Sequence, residues 1–297
     1  MTYSVIITAY KESNLISRAI ESVILSNSQI INDIQLVVVC GDQLTYSSAQ
    51  ESLVKNNFTN FCLLKDNAEG KAKALNMAFE KAVGDVWIMT DGDVYLSDNA
   101  IFSIVSVFND NKVVGATGQI KSLDSKSNFF GYYSNVFCDA ANTYRINRQK
   151  NSHFFPLSGY LYAIRKNTAL VLPPQLKAED DYISHLVYST DFKFIYVKDA
   201  ICYVNFPKNM SDLIKQKVRS LGGNIQNKKF FNTNTRSISQ DIKMFLFPLM
   251  YAQNIKELLF SLLIYPLRLY MWLIIYYRHT TNSYKTGIWD RIESSKY

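Results

Sequence analysis

The chain has 297 residues, 48% of them hydrophobic and 19% charged, a balance that excludes a globally disordered protein and lets a full core be buried. Its net charge of +7 is unevenly spread: residues 205–297 hold 14 Lys/Arg and 5 Asp/Glu, net +9, whereas the other 204 hold 18 and 20, net −2. Basic charge mixed with long aromatic and aliphatic runs fits an anionic membrane surface, and without a basic recognition helix or zinc-ligand spacing nucleic acid is not expected as a partner.

The first half alternates short apolar runs with amphipathic stretches, the pattern of a mostly parallel sheet covered by helices. Tyr3–Ala9 reads as a buried strand rather than a signal peptide, since it lacks a basic start. Helical spacing follows over Leu15–Leu25, then a strand at Ile34–Cys40, a helix at Ser47–Asn56, a strand at Phe61–Lys65, a helix at Lys71–Ala82 and a strand at Val86–Thr90. In this α/β, Rossmann-like order the loops after the strands share one edge of the sheet, where ligands bind. Further on, Asn99–Phe108 reads as helix, Val113–Ile120 as strand, Asn128–Arg148 as a long helix, and Leu157–Ile164 and Phe194–Val197 as strands. Helices are expected to open near Glu179 and Met210. Cys40, Cys62, Cys138 and Cys202 form no C-x-x-C pair, so reduced thiols of a cytosolic domain are expected.

The fourth strand runs directly into Asp91-Gly92-Asp93. Two carboxylates two residues apart project to one side, Gly92 is expected to let the chain turn tightly, and oxygen ligands of this kind suit Mg²⁺ or Mn²⁺. Glu179-Asp180-Asp181 places a carboxylate among other acids, where neighbouring negative charge raises proton affinity as a general base requires. Positive charge for a phosphate is available from Lys71 at a helix start and from Arg219, whose planar fork can donate two parallel bonds.

These elements together resemble a family 2 glycosyltransferase with the GT-A fold, nearest in pattern to the membrane-bound synthase branch that includes cellulose and hyaluronan synthases. The matching stretches are Thr8-Ala9-Tyr10-Lys11-Glu12, the Gly70-Lys71 helix start, Asp91-Gly92-Asp93, Glu179-Asp180-Asp181 and Gln216-Lys217-Val218-Arg219, with Gly223 and Gln226 continuing the last motif. The resemblance implies an inverting, hexosyl-type transfer from a nucleoside-diphosphate sugar, UDP-sugar favoured, to a saccharide or lipid-linked acceptor. It further implies Asp180 as base, Asp91 and Asp93 as ligands of Mg²⁺ or Mn²⁺, and Thr8, Ala9, Tyr10, Glu12, Asp42, Lys71 and Asp91 at the donor nucleotide. Gln216, Arg219, Glu179 and Gly159 fall on the diphosphate and acceptor side, and Tyr160 stands where an acceptor sugar could stack. Ser220 replaces the family's usual Trp, and only Asp42 stands where consecutive aspartates are common.

A catalytic domain over 1–236 and a membrane-associated helical tail over 237–297 are expected, at the cell membrane with the catalytic domain on the cytoplasmic side. Leu258–Tyr277 is long enough to span, but Arg268 is costly mid-bilayer and Pro266 is expected to interrupt the helix. Basic residues on both flanks, Lys243 and Lys256 before and Arg278, Lys285, Arg291 and Lys296 after, favour an in-plane or re-entrant arrangement. Trp289 to Lys296 resembles the cytosolic tail of related synthases. The competing functions are a nucleotidyltransferase making nucleotide sugars, disfavoured because Ala9–Asn14 has no Gly, and a catalytically inactive sugar-nucleotide-binding module. A dinucleotide oxidoreductase is excluded because no G-x-G-x-x-G follows the first strand.

Overall fold

The computed structural model describes residues 1–25, 27, 29–167, 169–189, 191–231, 245–280 and 293–295. Strands β1 (Tyr3–Ala9), β2 (Ile34–Cys40), β3 (Phe61–Lys65) and β4 (Val86–Asp91) are parallel, in the spatial order β3-β2-β1-β4. They are linked by α1 (Ile16–Leu25), α2 (Gln43–Lys55) and α3 (Lys71–Lys81). β1, β2 and β4 are largely apolar runs because both their faces are covered, whereas β3, at the sheet edge, has no fully buried residue. Val5 and Ile7 point to the side packed by Ile16 and Ile20 of α1 and Leu53 of α2, whereas Ile6 points to Ala72 and Leu75 of α3. Parallel pairing brings the ends Ala9, Cys40, Lys65 and Asp91 to one edge, and the site is built there.

The second half makes the sheet mixed. It contributes β5 (Tyr95–Leu96), α4 (Ala100–Ser106), β6 (Val113–Ser122), α5 (Phe129–Lys150), β7 (Leu161–Arg165), α6 (Glu179–Val187), β8 (Lys193–Val204) and α7 (Met210–Phe231). The full strand order is β3-β2-β1-β4-β7-β6-β8-β5, with β7 antiparallel to both β4 and β6 and β6 parallel to β8.

Two strand expectations change. The strand expected from Leu157 starts only at Leu161, because the amides of Leu157, Ser158 and Gly159 donate to side chains, Ser184 Oγ, Thr117 Oγ1 and Asp180 Oδ2, instead of to a neighbouring strand. The strand expected over Phe194–Val197 runs from Lys193 to Val204, since a register shift between Gly118 and Gln119 lets β6 resume pairing beyond the polar Lys198-Asp199 step. Asn142 of α5 bonds both polar groups of the Ile120 backbone, 3.1 Å to its N–H and 2.8 Å to its carbonyl, which fixes the long helix beside the site.

Beyond α7, α8 (Phe247–Tyr251) and α9 (Ile255–Thr280) are described. Ile255–Ile274 is long and apolar enough to cross a membrane by length and composition. α9 continues through Pro266 rather than breaking there; Ile264 and Leu267 on either side of it are buried, so packing holds the adjacent turns. With Ser261 and Met271 they form the inner face, against Tyr132, Tyr133 and Val136 of α5 and Leu213 and Val218 of α7. Tyr132 Oη and Ser261 Oγ share a hydrogen bond of 2.7 Å inside this contact, and Lys256 Nζ donates to the Ser127 carbonyl at 2.7 Å. The outer face, with Leu259, Leu263, Leu269, Leu273 and Tyr276, is exposed. Lys243, Lys285, Arg291, Lys296 and Trp289 lie outside the described residues.

Candidate active site

A cleft of about 390 Å³ opens over the carboxyl ends of β1 and β4. At its near side β1 delivers Thr8, Ala9 and Tyr10, and the chain then turns through Lys11, held in left-handed backbone at φ 55°. The turn is fixed by Asp42, whose Oδ2 accepts the Lys11 N–H at 2.5 Å and the Thr45 hydroxyl at 2.7 Å while Oδ1 accepts the Thr45 N–H at 3.0 Å. Burial pushes the Asp42 acid upward, but these bonds outweigh it and hold the carboxyl below its usual range. Asp42 thus caps α2 and braces the turn; it is not among the cleft-lining residues. The acid that does line this end is Asp66, directly after β3, close beside Gly41, where an added Cβ would lie 3.0 Å from Asp66 Oδ1 and 2.9 Å from Tyr10 Cδ2. Sequence reasoning passed over Asp66; its place after a strand end, like that of Asp42, was the available signal.

Asp91 and Asp93 both line the floor. The expected tight turn is present, closed by the Val94 N–H donating to the Asp91 carbonyl at 3.1 Å, and Gly92 is needed in it for space rather than for left-handed backbone: a Cβ there would sit 2.5 Å from Glu12 Oε2 and 2.6 Å from Ala9 Cβ. Its N–H donates to the Thr8 carbonyl at 3.1 Å and seals β4 to β1. Lys71, released into α3 by Gly70 at φ 110°, places Nζ 2.5 Å from Asp91 Oδ1. Burial pulls the Lys71 ammonium down, but Asp91, Glu179 and Asp180 more than compensate and raise it to about 12, so it stays charged.

Across the cleft, the Gly159 N–H donates to Asp180 Oδ2 at 2.8 Å. Its neighbour Glu179 is buried, 7% exposed, and burial pushes its acid up to about 6 against the pull of Lys71 and Arg219. Glu179 Oε1 and Gln216 Oε1 are buried oxygens with no hydrogen-bond donor. Asp181 faces away and accepts from Asn227 Nδ2 at 2.9 Å. α7 supplies Gln216, Lys217, Arg219 and Ser220, with Lys217 Nζ 3.3 Å from the Phe137 ring centre. Arg145, Lys177, Phe137 and Tyr160 complete the wall, and of these sequence reasoning had singled out only Tyr160. The Tyr160 ring is half-buried and lies tilted 6.2 Å from that of Phe206. Ser295 also lines the cleft, and its neighbour Ser294 is tied to Asp212 by an N–H···O bond of 3.0 Å.

Every residue expected at the site except Asp42 therefore borders one cleft. Among the described residues no group of three or more His, Cys, Asp or Glu side chains could hold an ion. Two carboxylates on the floor fit a hard cation that takes its remaining oxygens from phosphate and water, the habit of Mg²⁺ and of Mn²⁺ in such sites. The donorless oxygen of buried Glu179 agrees with a cleft built to receive a polar or cationic group.

A family model described as glycosyltransferase-like family 2 matches residues 2–223. The hyaluronan synthase of Streptococcus pyogenes is 26% identical over 188 residues, 58% of this chain and 42% of that protein. The poly-beta-1,6-N-acetyl-D-glucosamine synthase of Staphylococcus epidermidis is 23% identical over 252 residues, 82% of this chain and 60% of that one. The chain thus spans less than two thirds of either relative's length. Among solved structures, the mannosyltransferase of Pyrobaculum calidifontis in complex with GDP-Man and Mn²⁺ superposes with a TM-score of 0.63 at 16% identity, over 95% of this chain and 81% of that one. The mixed sheet is that of the GT-A fold, and the chain belongs to glycosyltransferase family 2.

Proposed function

We propose that this chain is an inverting glycosyltransferase that uses a nucleoside-diphosphate sugar, a UDP-sugar first, and requires Mg²⁺ or Mn²⁺. The observation that carries the reading is the meeting, in one cleft, of a paired-acid floor (Asp91, Asp93), fixed cations (Lys71, Arg219) and a carboxylate held by a backbone N–H (Asp180). Thr8, Ala9, Tyr10 and Glu12 receive the nucleotide, and Asp66 rather than Asp42 meets the base, because the Asp42 oxygens already accept three bonds. Asp91 and Asp93 would hold the ion, which when bound neutralises the diphosphate.

With one oxygen fixed by Gly159, Asp180 keeps the other to take the proton from the acceptor hydroxyl. The acceptor oxygen forms its bond to the anomeric carbon as the bond to the diphosphate breaks on the opposite face. The electron pair leaves with the diphosphate, toward Lys71 and Arg219. The product named for the staphylococcal relative makes UDP-N-acetylglucosamine the first donor to try, and the Mn²⁺ that accompanies GDP-Man in the mannosyltransferase complex supports a divalent ion.

The acceptor is a saccharide or a lipid-linked sugar at the membrane. Residues 1–236 form the catalytic part and 237–297 the membrane-associated part, on the cytoplasmic side. The docked inner face of α9 favours attachment in the plane of the bilayer: a helix packed on α5 and α7 offers lipid only its outer face. Nucleoside-diphosphate release from a panel of UDP- and GDP-sugars, with Mn²⁺ and with excess chelator, tests the proposal. Release from one donor, lost on chelation, is expected; release untouched by chelator would remove the ion, and none from any donor would return the chain to a binding role.

A further inference from the structure

The segment that carries Glu179 and Asp180 is irregular up to Ala178, and α6 begins there without a side-chain cap of its own. Besides the Gly159 bond to Asp180, the side chains that tie this segment down come from α7. The Lys177 N–H donates to Gln226 Oε1 at 2.8 Å, and Gln226 Nε2 donates to the Gln175 carbonyl at 3.0 Å. Asn227, 1% exposed, donates through Nδ2 to the Ala178 carbonyl at 3.1 Å and to Asp181 Oδ2 at 2.9 Å. Between these side chains and the cleft lies Gly223, where a Cβ would come within 2.6 Å of the Ala178 Cβ and 3.2 Å of the Ala178 nitrogen. The helix therefore approaches the segment as closely as a glycine allows.

The same helix carries Arg219 into the cleft, seven residues, or about 10 Å of helix, before Gln226. A straight helix is stiff over this distance, so the clasp fixes Asp180 relative to Arg219. These two groups act on opposite ends of the transfer, the acceptor proton and the departing diphosphate, and no covalent neighbour ties them together. We infer that Gln226 and Asn227 are positioning residues for the transfer step: with Gly223 they make α7 a ruler between Asp180 and Arg219. The inference rests on the proposed roles of those two groups. Neither amide points at the reacting atoms; each acts by holding the segment from Gln175 to Asp181. A misplacement of ~1 Å at a reacting group costs on the order of 10²-fold in rate.

The test uses the full chain in detergent, as Gln226→Ala, Asn227→Ala, the double variant and Gln226→Glu, which keeps the acceptor for the Lys177 N–H. Hydrogen exchange of the peptide spanning 175–181 reads the clasp without any substrate. Calorimetric binding of UDP with Mn²⁺ reads the donor end, and turnover of the donor found in the panel reads the transfer. Expected are exchange at 175–181 faster by at least ~10-fold with β1 unchanged, kcat lower by ~10- to 100-fold, UDP affinity kept, and partial recovery of kcat in Gln226→Glu. Unchanged exchange in the double variant would overturn the clasp, whatever the activity of the wild type. Faster exchange with kcat intact, or with UDP affinity falling as far as kcat, would overturn the positioning role. If no donor turns over in the wild type, the functional reading fails on its own and the exchange result still decides whether the clasp exists.

Discussion

Replacing Glu179 by Gln should stabilise the protein above neutral pH. Burial raises the Glu179 acid from its ordinary 4.5 to about 6, even though Lys71 and Arg219 pull the other way, so the fold favours the protonated form. The sign follows: this contribution to stability is fully present below pH 4.5 and is lost as pH rises through about 6. At roughly 1.4 kcal/mol per pKa unit, the ionised carboxylate costs the folded state about 2 kcal/mol at pH 7.5. Gln keeps the shape and removes the charge. Glu179→Gln should therefore melt about 3 °C above wild type at pH 7.5, a gain that vanishes at pH 4.5. Thermal unfolding followed by circular dichroism across that range is the assay. A lower melting temperature at pH 7.5, or a gain independent of pH, would refute the reasoning. The buried charge is then the kind of local cost that active sites retain, and the same variant should lose activity while gaining stability.

Asp93→Ala should abolish Mn²⁺- or Mg²⁺-stimulated donor turnover, read as nucleoside-diphosphate release, because one of two floor carboxylates is gone. Asp66→Asn should weaken UDP binding by about 10-fold, measured by calorimetry, while Asp42→Asn should act mainly on stability, by about 1–3 kcal/mol, through the Lys11 turn. The pair Leu259→Asp and Leu263→Asp, on the exposed face of α9, should reduce co-flotation with vesicles containing anionic lipid by at least about 10-fold without altering UDP affinity. Flotation unchanged by the pair would remove that face from membrane contact.

The parallel strands were legible because burial on both faces makes β1, β2 and β4 largely apolar runs and the edge strand β3 keeps a short apolar core; the bounds of β1, β2 and β3 agree residue for residue with the reading. The strand expected from Leu157 failed for a reason sequence does not carry: Ser184, Thr117 and Asp180, distant in the chain, take the amides that a strand partner would have taken. Asp42 and Asp66 both follow strands, and spacing cannot tell a carboxylate spent on capping a helix from one that lines the cleft. The tight turn at Gly92 was legible, but the close approach of Glu12 and Ala9 was not, since it depends on how two loops meet. The α9 contact was likewise hidden. Apolar periodicity alone does not say whether Ile264, Leu267 and Met271 face lipid or, as found, the aromatic side of α5.

The central claim is that the Asp180 carboxylate accepts the acceptor's proton in a cleft that binds the donor independently of it. The direct measurement is Asp180→Asn, assayed in parallel for UDP binding with Mn²⁺ and for sugar transfer to the acceptor. Donor binding should be retained, because the amide keeps an oxygen for the Gly159 N–H, and transfer should fall by at least about 10²-fold. Transfer at the wild-type rate would contradict the account and move the base to Glu179, the neighbouring acid poised at about 6.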